Sequence, residues 1–103
     1  MKVFLDDIRE TPTGWHRTFT VAETITCLES RQVTHLSVDN DLGEGLVEGY
    51  EVLNWLEEAI YTDKTFPIPV IIVHSDNSSR MLCMKKAIGS ITRIRKTQLG
   101  EAT

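Results

Sequence analysis

Three short runs of apolar residues stand out along the chain, and each gives way abruptly to polar residues. The runs are Val3–Leu5, Leu36–Val38 and Val70–Val73. Short, largely apolar runs of this kind are typical of strands that are buried within a parallel sheet. The pattern therefore predicts three strands whose carboxyl ends carry the polar chemistry of the chain.

Apolar residues at helical spacing fill most of the segments that separate these runs. The three predicted helices span about residues 20–30, 50–60 and 78–88. Thr20 and Glu23 have the spacing of a capping box, which predicts a helix that begins at Thr20. Gly89 predicts the end of the third helix. Two weaker segments, residues 15–19 and 92–97, are predicted to add a second and a fifth strand.

The alternation of strands and helices predicts the fold class, which is α/β. Each strand–helix–strand unit is expected to be right-handed, and such units build a mainly parallel sheet with helices on both faces. In these sheets a ligand site lies beyond the carboxyl ends of the strands, where the strand order reverses. The sequence places its acidic residues at this edge.

Length and charge narrow the range of functions. With 103 residues, the chain is expected to form one domain that covers residues 1–103. Its formal net charge of -4 argues against general nucleic-acid binding, which usually requires an excess of basic residues. No apolar run approaches the roughly 18 residues of a membrane span, and no signal peptide is evident. We therefore expect a cytoplasmic protein without a membrane partner.

Four acidic residues follow the first and the central predicted strands: Asp6, Asp7, Asp39 and Asp41. Two carboxylates about 4 Å apart repel each other by roughly 4 kcal/mol at an effective dielectric constant of about 20. A partly buried cluster of carboxylates is therefore expected to take up protons or to hold a cation. Oxygen ligands favour Mg²⁺ or Mn²⁺ over zinc.

Other polar residues complete the candidate site. His74 is suited to donate a proton to a leaving oxygen or to bind a softer metal. Ser75 and Asn77 offer neutral hydrogen bonds to phosphate oxygens, and Arg9 offers a guanidinium fork. Structural roles remain open for the same residues: a hydrogen-bonded histidine, a helix N-cap at Asn77, a surface charge at Arg9 and turn-forming aspartates. The convergence of three strand ends favours the functional interpretation.

The order of these features resembles the response-regulator receiver domain. In that family an acidic pair follows the first strand, as Asp6 and Asp7 do, and a phospho-accepting aspartate ends the third, as Asp39 does. A Ser or Thr ends the fourth strand, as Ser75 does. The resemblance covers about residues 2–97 and implies a flavodoxin-like three-layer sandwich around a five-stranded sheet of order 2-1-3-4-5. The chain departs from that family at its C-terminus, which is predicted to be truncated and to lack a full fifth helix.

A divergent branch, the cyclic-phosphate-processing receiver family, is more similar still. Its motifs are matched by Asp6-Asp7-Ile8-Arg9, Pro12, Gly14-Trp15, Val38-Asp39-Asn40-Asp41-Leu42-Gly43, Gly49-Tyr50 and His74-Ser75-Asp76-Asn77. The match departs from the family at Asn40, where the family has histidine. Small proteins that resemble this family are typical of phages and prokaryotic conflict systems.

This resemblance implies metal-dependent hydrolysis of a cyclic phosphate, such as a cyclic nucleotide or an RNA 2′,3′-cyclic end. The residues it implies are Asp6, Asp7 and Asp39 for Mg²⁺ or Mn²⁺, Asp39, Asp41 and His74 for catalysis, and Arg9, Ser75 and Asn77 for the phosphate. Its expected partner is a small phosphorylated ligand.

Two alternatives to hydrolysis remain open at this point. The first is a receiver switch that is phosphorylated on Asp39 and read out by Ser75 and Lys96. The second is a non-catalytic module that binds a nucleotide or a protein partner.

Overall fold

The computed structural model describes residues 1–43 and 47–100 of the chain. The strands are Lys2–Leu5 (β1), His16–Thr18 (β2), His35–Asp39 (β3) and Val70–His74 (β4). The helices are Val21–Glu29 (α1), Tyr50–Thr62 (α2) and Ser78–Gln98 (α3). The three strands predicted from apolar runs, the weaker second strand and the starts of the three helices are confirmed.

The four strands form one parallel sheet in the order β2-β1-β3-β4. Leu5 pairs with Val38, and Val38 pairs with Val73, so the carboxyl ends of the three apolar strands lie at the same edge. Within the sheet, β2 lies next to one edge of β1, whereas β3 and β4 follow on the other edge of β1. The direction of the strand order therefore reverses between β1 and β3. The predicted receiver-like α/β fold is confirmed.

All three helices pack on one face of the sheet, which corrects the predicted three-layer sandwich. One hydrophobic core joins strand residues to residues of every helix: Val3, Leu5, Leu36, Val38, Leu28, Val52, Leu53 and Met84. Right-handed crossovers that move in one direction across a sheet place their helices on the same face. The connection in the opposite direction, from β1 to β2, contains Pro12 and Gly14 and forms no helix. The described residues therefore form no second helical layer.

The other face of the sheet is only partly covered. The ring of Trp15 packs edge-to-face on Phe4 with 6.2 Å between the centroids, and Phe4 is buried. On β4, which lies at the edge of the sheet, Val70 and Ile72 are 58% and 42% exposed. The face is therefore open beside β4.

The predicted fifth strand is wrong, because residues 92–97 belong to α3. Gly89 does not end this helix, and a Cβ atom at its position would meet only the Arg93 side chain, at 3.6 Å. Beyond Gly89, Ile91 and Ile94 pack against a second core that contains Ile60 and Phe66. This apolar contact holds the last turns in a helix. No helix among the described residues is long and apolar enough to cross a membrane.

Candidate functional site

Three aspartates converge at the carboxyl edge of the sheet, where β1 and β3 lie side by side. Asp6, Asp7 and Asp39 each place a carboxylate oxygen within 4.8 Å of the others. The pairing of Leu5 with Val38 explains this convergence, because the next residues along the two strands are Asp6 and Asp39. The structure thus brings together the three residues that the sequence predicts as metal ligands.

The Asp6 side chain is almost completely buried, with only 1% of its surface exposed. Its Oδ1 accepts hydrogen bonds from the backbone N–H groups of Ile8 and Arg9, both at 2.9 Å. Its Oδ2 is buried without a hydrogen-bond partner, and so is Oδ1 of Asp7. A buried carboxylate oxygen without a partner is costly, so the donor set of this cluster fits a hard divalent cation.

Asp39 lies half-buried at the end of β3, next to the other two acids. Burial raises the pKa of Asp39 above its ordinary value, and the charges of Asp6, Asp41 and Asp7 raise it further. A hydrogen bond from the Asp41 N–H to Asp39 Oδ1, at 3.0 Å, partly offsets this effect on the pKa. The cluster therefore favours a proton or a cation on its carboxylates.

Asp41 lies outside the three-acid cluster and connects two loops. Its Oδ2 accepts hydrogen bonds from the Ser75 hydroxyl at 3.0 Å and from the Asp76 N–H at 2.9 Å. The Ser75 hydroxyl oxygen in turn accepts a hydrogen bond from the Asn77 N–H at 3.1 Å. Asp41 thus fixes the loop after β4 against the loop after β3.

These residues line a cavity of about 210 Å³ above the sheet edge. Its lining residues are Asp6, Ile8, Arg9, Asp39, Asp41, Ser75 and Asp76. Arg9 and Ser75, which the sequence predicts as phosphate ligands, both line this cavity. His74 and Asn77 are not among the lining residues. His74 pairs with Asp39 in the sheet, and Asn77 caps α3 by accepting a hydrogen bond from the Arg80 N–H at 3.1 Å.

Arg17 organises the loop after β1, and the sequence analysis missed it. Its Nε donates a hydrogen bond to the backbone oxygen of Asp6 at 2.7 Å. Its Nη1 donates to the backbone oxygen of Arg9 at 2.6 Å and to Thr11 Oγ1 at 2.9 Å. Arg17 thus connects β2 to the loop that carries two of the aspartates. Its position on the weakly predicted second strand, ten residues from the acids, gave no local signal of this role.

A sequence profile of the cyclic-phosphate processing receiver domain matches residues 1–90. The chain belongs to this family. No curated protein and no solved structure gives a significant match. Every residue of the acid cluster and of its cavity lies within the matched range. Membership in this receiver family links the domain to the processing of cyclic phosphates.

Asn40 stands where the resemblance to the cyclic-phosphate-processing receiver family predicts a histidine, and its side chain has a structural role here. It is 2% exposed and faces the start of α2. Its Oδ1 accepts a hydrogen bond from the Tyr50 N–H, and its Nδ2 donates to Glu48, both at 3.0 Å. Its backbone N–H donates to the oxygen of His74 at 2.9 Å. Asn40 thus ties β3 to both β4 and α2.

Gly49 immediately precedes α2, and the structure gives the reason for a glycine at this position. A Cβ atom at this position would lie 2.1 Å from the backbone oxygen of Asp39. No side chain fits at that distance, because the contact is with backbone atoms that cannot rotate away. Gly49 therefore lets the start of α2 pack directly on the strand end that carries Asp39.

Proposed function

We propose that the chain is a metal-dependent phosphoesterase that opens a cyclic phosphate on a receiver-like scaffold. The observation that carries this proposal is the pair of buried carboxylate oxygens without hydrogen-bond partners, Asp6 Oδ2 and Asp7 Oδ1, beside Asp39. Clustered carboxylates that only stabilised a turn would be expected to accept hydrogen bonds from nearby donors. Family membership adds the link to cyclic phosphates.

Asp6, Asp7 and Asp39 would hold the divalent cation, with Mg²⁺ or Mn²⁺ as the expected ion. A cation bound there would offset the negative charge that develops on the phosphoryl oxygens during the reaction. The two backbone N–H groups that bind Asp6 Oδ1 orient this carboxylate and leave Oδ2 free to act as a ligand.

Arg9 is the group on the cavity wall best suited to hold the phosphate. It lines the same cavity as Asp6 and Asp39, and its guanidinium can form two parallel hydrogen bonds to phosphate oxygens. Ser75 has a single hydroxyl proton, which it donates to Asp41. In this arrangement Ser75 positions Asp41, and Arg9 supplies the contact to phosphate.

The reaction itself is the addition of water across one ring ester bond. Asp41 lines the cavity and would orient the water, whose oxygen bonds to phosphorus as the ring P–O bond breaks. His74 pairs with Asp39 in the sheet, next to the cavity although not among its lining residues, and would give a proton to the departing alkoxide. Asp41 would accept one proton of the water, exchange with solvent would return a proton to His74, and the product is a phosphate monoester.

The test is the incubation of the protein and Mn²⁺ with adenosine 2′,3′-cyclic and 3′,5′-cyclic monophosphate, followed by mass spectrometry of the products. We expect a monoester product from wild type and a loss of at least about 100-fold in the rate for Asp39→Asn. Asp63→Asn is the matched control, because it makes the same chemical change on the turn after α2. Its rate should equal that of wild type.

A negative result would also be informative. If Mn²⁺ raises the melting temperature but every cyclic phosphate is recovered intact, hydrolysis is excluded under these conditions. A cyclic nucleotide that is bound by the protein and recovered unchanged would then establish a non-catalytic binding module.

The phospho-accepting switch receives less support from the structure. Its predicted readout residue, Lys96, lies in α3, 18 residues after the first residue of the helix. At about 1.5 Å per residue, this separation is about 27 Å along the helix axis. Because α3 begins next to the site, Lys96 is too distant to contact a phosphoryl group on Asp39.

A further inference from the structure

A second cavity, of about 230 Å³, lies close to the cavity of the aspartates. Its lining residues are Phe19, Thr20, Val21, Ala22, Leu42 and Val47. Five of these six side chains are apolar, and Phe19 and Val47 are 52% and 60% exposed. An exposed aromatic ring at the mouth of an apolar cavity is typical of a site for a flat ligand.

Residues that line the two cavities are neighbours at two points, one in the sheet and one in the chain. On one side, the Asp6 N–H donates a hydrogen bond to the oxygen of Thr18 at 3.3 Å, and Phe19 is the next residue. On the other side, Asp41 lines the acidic cavity and the adjacent Leu42 lines the apolar one. The two cavities therefore lie next to each other at the carboxyl edge of the sheet.

Arg17 holds the aromatic ring in a fixed relation to the acidic cluster. Its guanidinium carbon lies 4.7 Å from the ring centroid of Phe19, while its Nε donates to the backbone oxygen of Asp6. Its other ring contact is Phe4, at 5.6 Å. Phe19 is thus placed by the same side chain that orders the aspartate loop.

The sizes of the cavities also indicate a ligand that occupies both. Small-molecule sites usually enclose roughly 300–1,000 Å³. At about 210 and 230 Å³, each cavity is below that range, and the two together fall within it. A phosphate-bearing sugar in the acidic cavity would leave the apolar cavity for a substituent of the sugar.

We propose that the apolar cavity binds the base of a cyclic mononucleotide whose cyclic phosphate lies at the aspartates. This proposal rests on the proposed function and narrows its substrate from any cyclic phosphate to one that carries a base. Among the described residues that line this cavity, Thr20 alone carries a hydroxyl, which is engaged with Glu23 in the cap of α1. The base is therefore recognised by stacking and apolar contact, with little discrimination between adenine and uracil.

The experiment compares base-bearing and base-free substrates in the presence of Mn²⁺. The probes are adenosine and uridine 2′,3′-cyclic monophosphate and methyl riboside 2′,3′-cyclic phosphate, which lacks a base. Stacking of a base on an aromatic ring contributes about 1–3 kcal/mol, so removal of the base should lower kcat/KM by about 5- to 150-fold. The two nucleotides should differ by less than about tenfold.

Two variants test whether this preference comes from the apolar cavity. Phe19→Ser removes the ring, and Ala22→Leu adds apolar volume to the cavity while leaving Phe19 and Arg17 unchanged in sequence. Both should lower kcat/KM for the nucleotides far more than for the base-free substrate. Tyr61→Ser is the control, since Tyr61 is an aromatic residue that is 73% exposed near the end of α2, and it should change neither value.

The outcomes separate this proposal from the proposed function. Equal kcat/KM for base-free and base-bearing substrates, or equal losses for both in Phe19→Ser and Ala22→Leu, would overturn the base site while leaving hydrolysis intact. If no cyclic phosphate is hydrolysed, the base site is tested by saturation-transfer NMR with adenosine. Contacts that disappear in Phe19→Ser and in Ala22→Leu would support the site, and their absence from wild type would overturn it.

Discussion

Two aspartates at opposite ends of α2 have opposite electrostatic environments. Asp39 packs against Gly49 at the start of this helix, and Asp63 follows its last residue, Thr62, about 20 Å away along the axis. Burial and neighbouring acids raise the pKa of Asp39. Hydrogen bonds from Thr65 and from Arg31 hold the pKa of Asp63 well below its ordinary value.

The ionised carboxylate of Asp63 stabilises the folded state, whereas the ionised carboxylate of Asp39 destabilises it. Asp63 accepts hydrogen bonds from the N–H and the hydroxyl of Thr65, at 2.9 and 2.6 Å, and pairs with Arg31. Asp39 accepts one backbone hydrogen bond and faces other acids. Stability alone does not account for such an arrangement, which is typical of functional sites.

The largest change in stability is expected from Gly49→Ala, which would disturb the packing of α2 on the end of β3 that carries Asp39. A methyl group 2.1 Å from the oxygen of Asp39 forces β3 and α2 apart, so we expect a loss of about 3 kcal/mol in the free energy of unfolding. Gly89→Ala is the matched control. Its nearest contact is at 3.6 Å within α3, so it should stabilise the protein by about 0.5–1 kcal/mol. Urea unfolding measures both, and equal effects would contradict the close packing at Gly49.

A smaller change in stability is expected from divalent cations, which should bind at Asp39 and not at Asp63. Mn²⁺ at 100 times its dissociation constant should add about 2.7 kcal/mol to the free energy of unfolding of wild type. Asp39→Asn should lose this gain, and Asp63→Asn should keep it. Melting temperatures with and without Mn²⁺ provide the measurement. Equal stabilisation of all three proteins would place the cation elsewhere.

The smallest change is expected in how the stability of the metal-free protein depends on pH, to which Asp39 and Asp63 contribute in opposite directions. Because the pKa of Asp39 is raised in the folded state, that state binds more protons than the unfolded chain above the ordinary pKa of 3.8. Stability should therefore fall as pH rises from that value through the raised pKa. The lowered pKa of Asp63 acts the other way, and its contribution should be lost as pH falls below 3.8.

Single substitutions separate these two pH dependences. In urea unfolding measured between about pH 3 and 7, Asp39→Asn should remove the decline of stability on the higher side of this range. Asp63→Asn should remove the decline on the lower side. Unchanged pH profiles in both variants would show that other groups control the acid response.

The sequence predicted the parts of the fold that depend on local pattern. Apolar runs located β1, β3 and β4, and their parallel pairing brought the predicted ligands Asp6 and Asp39 together. The spacing of Thr20 and Glu23 located the start of α1, where the Glu23 N–H donates to the Thr20 hydroxyl at 3.2 Å. These features follow from residues close together in the chain.

The features that the sequence did not predict depend on contacts between distant residues. Gly89 resembles a helix end locally, but Ile91 and Ile94 are held in α3 by the second core, with Phe66. Arg17 acts through hydrogen bonds to backbone oxygens, which no side-chain pattern encodes. In the same way, the role of Asn40 in joining β3, β4 and α2 is visible only once those elements have been placed.

The exposed edge strand β4 is expected to affect the protein at high concentration. β4 lies at the edge of the sheet, residues 70–73 carry no charge, and Val70 and Ile72 are exposed. Unpaired backbone groups beside exposed apolar side chains favour strand-to-strand aggregation. A lysine in place of Ile72 would put a charge on this edge without contact with the helical core. We therefore expect Ile72→Lys to raise the solubility of the protein.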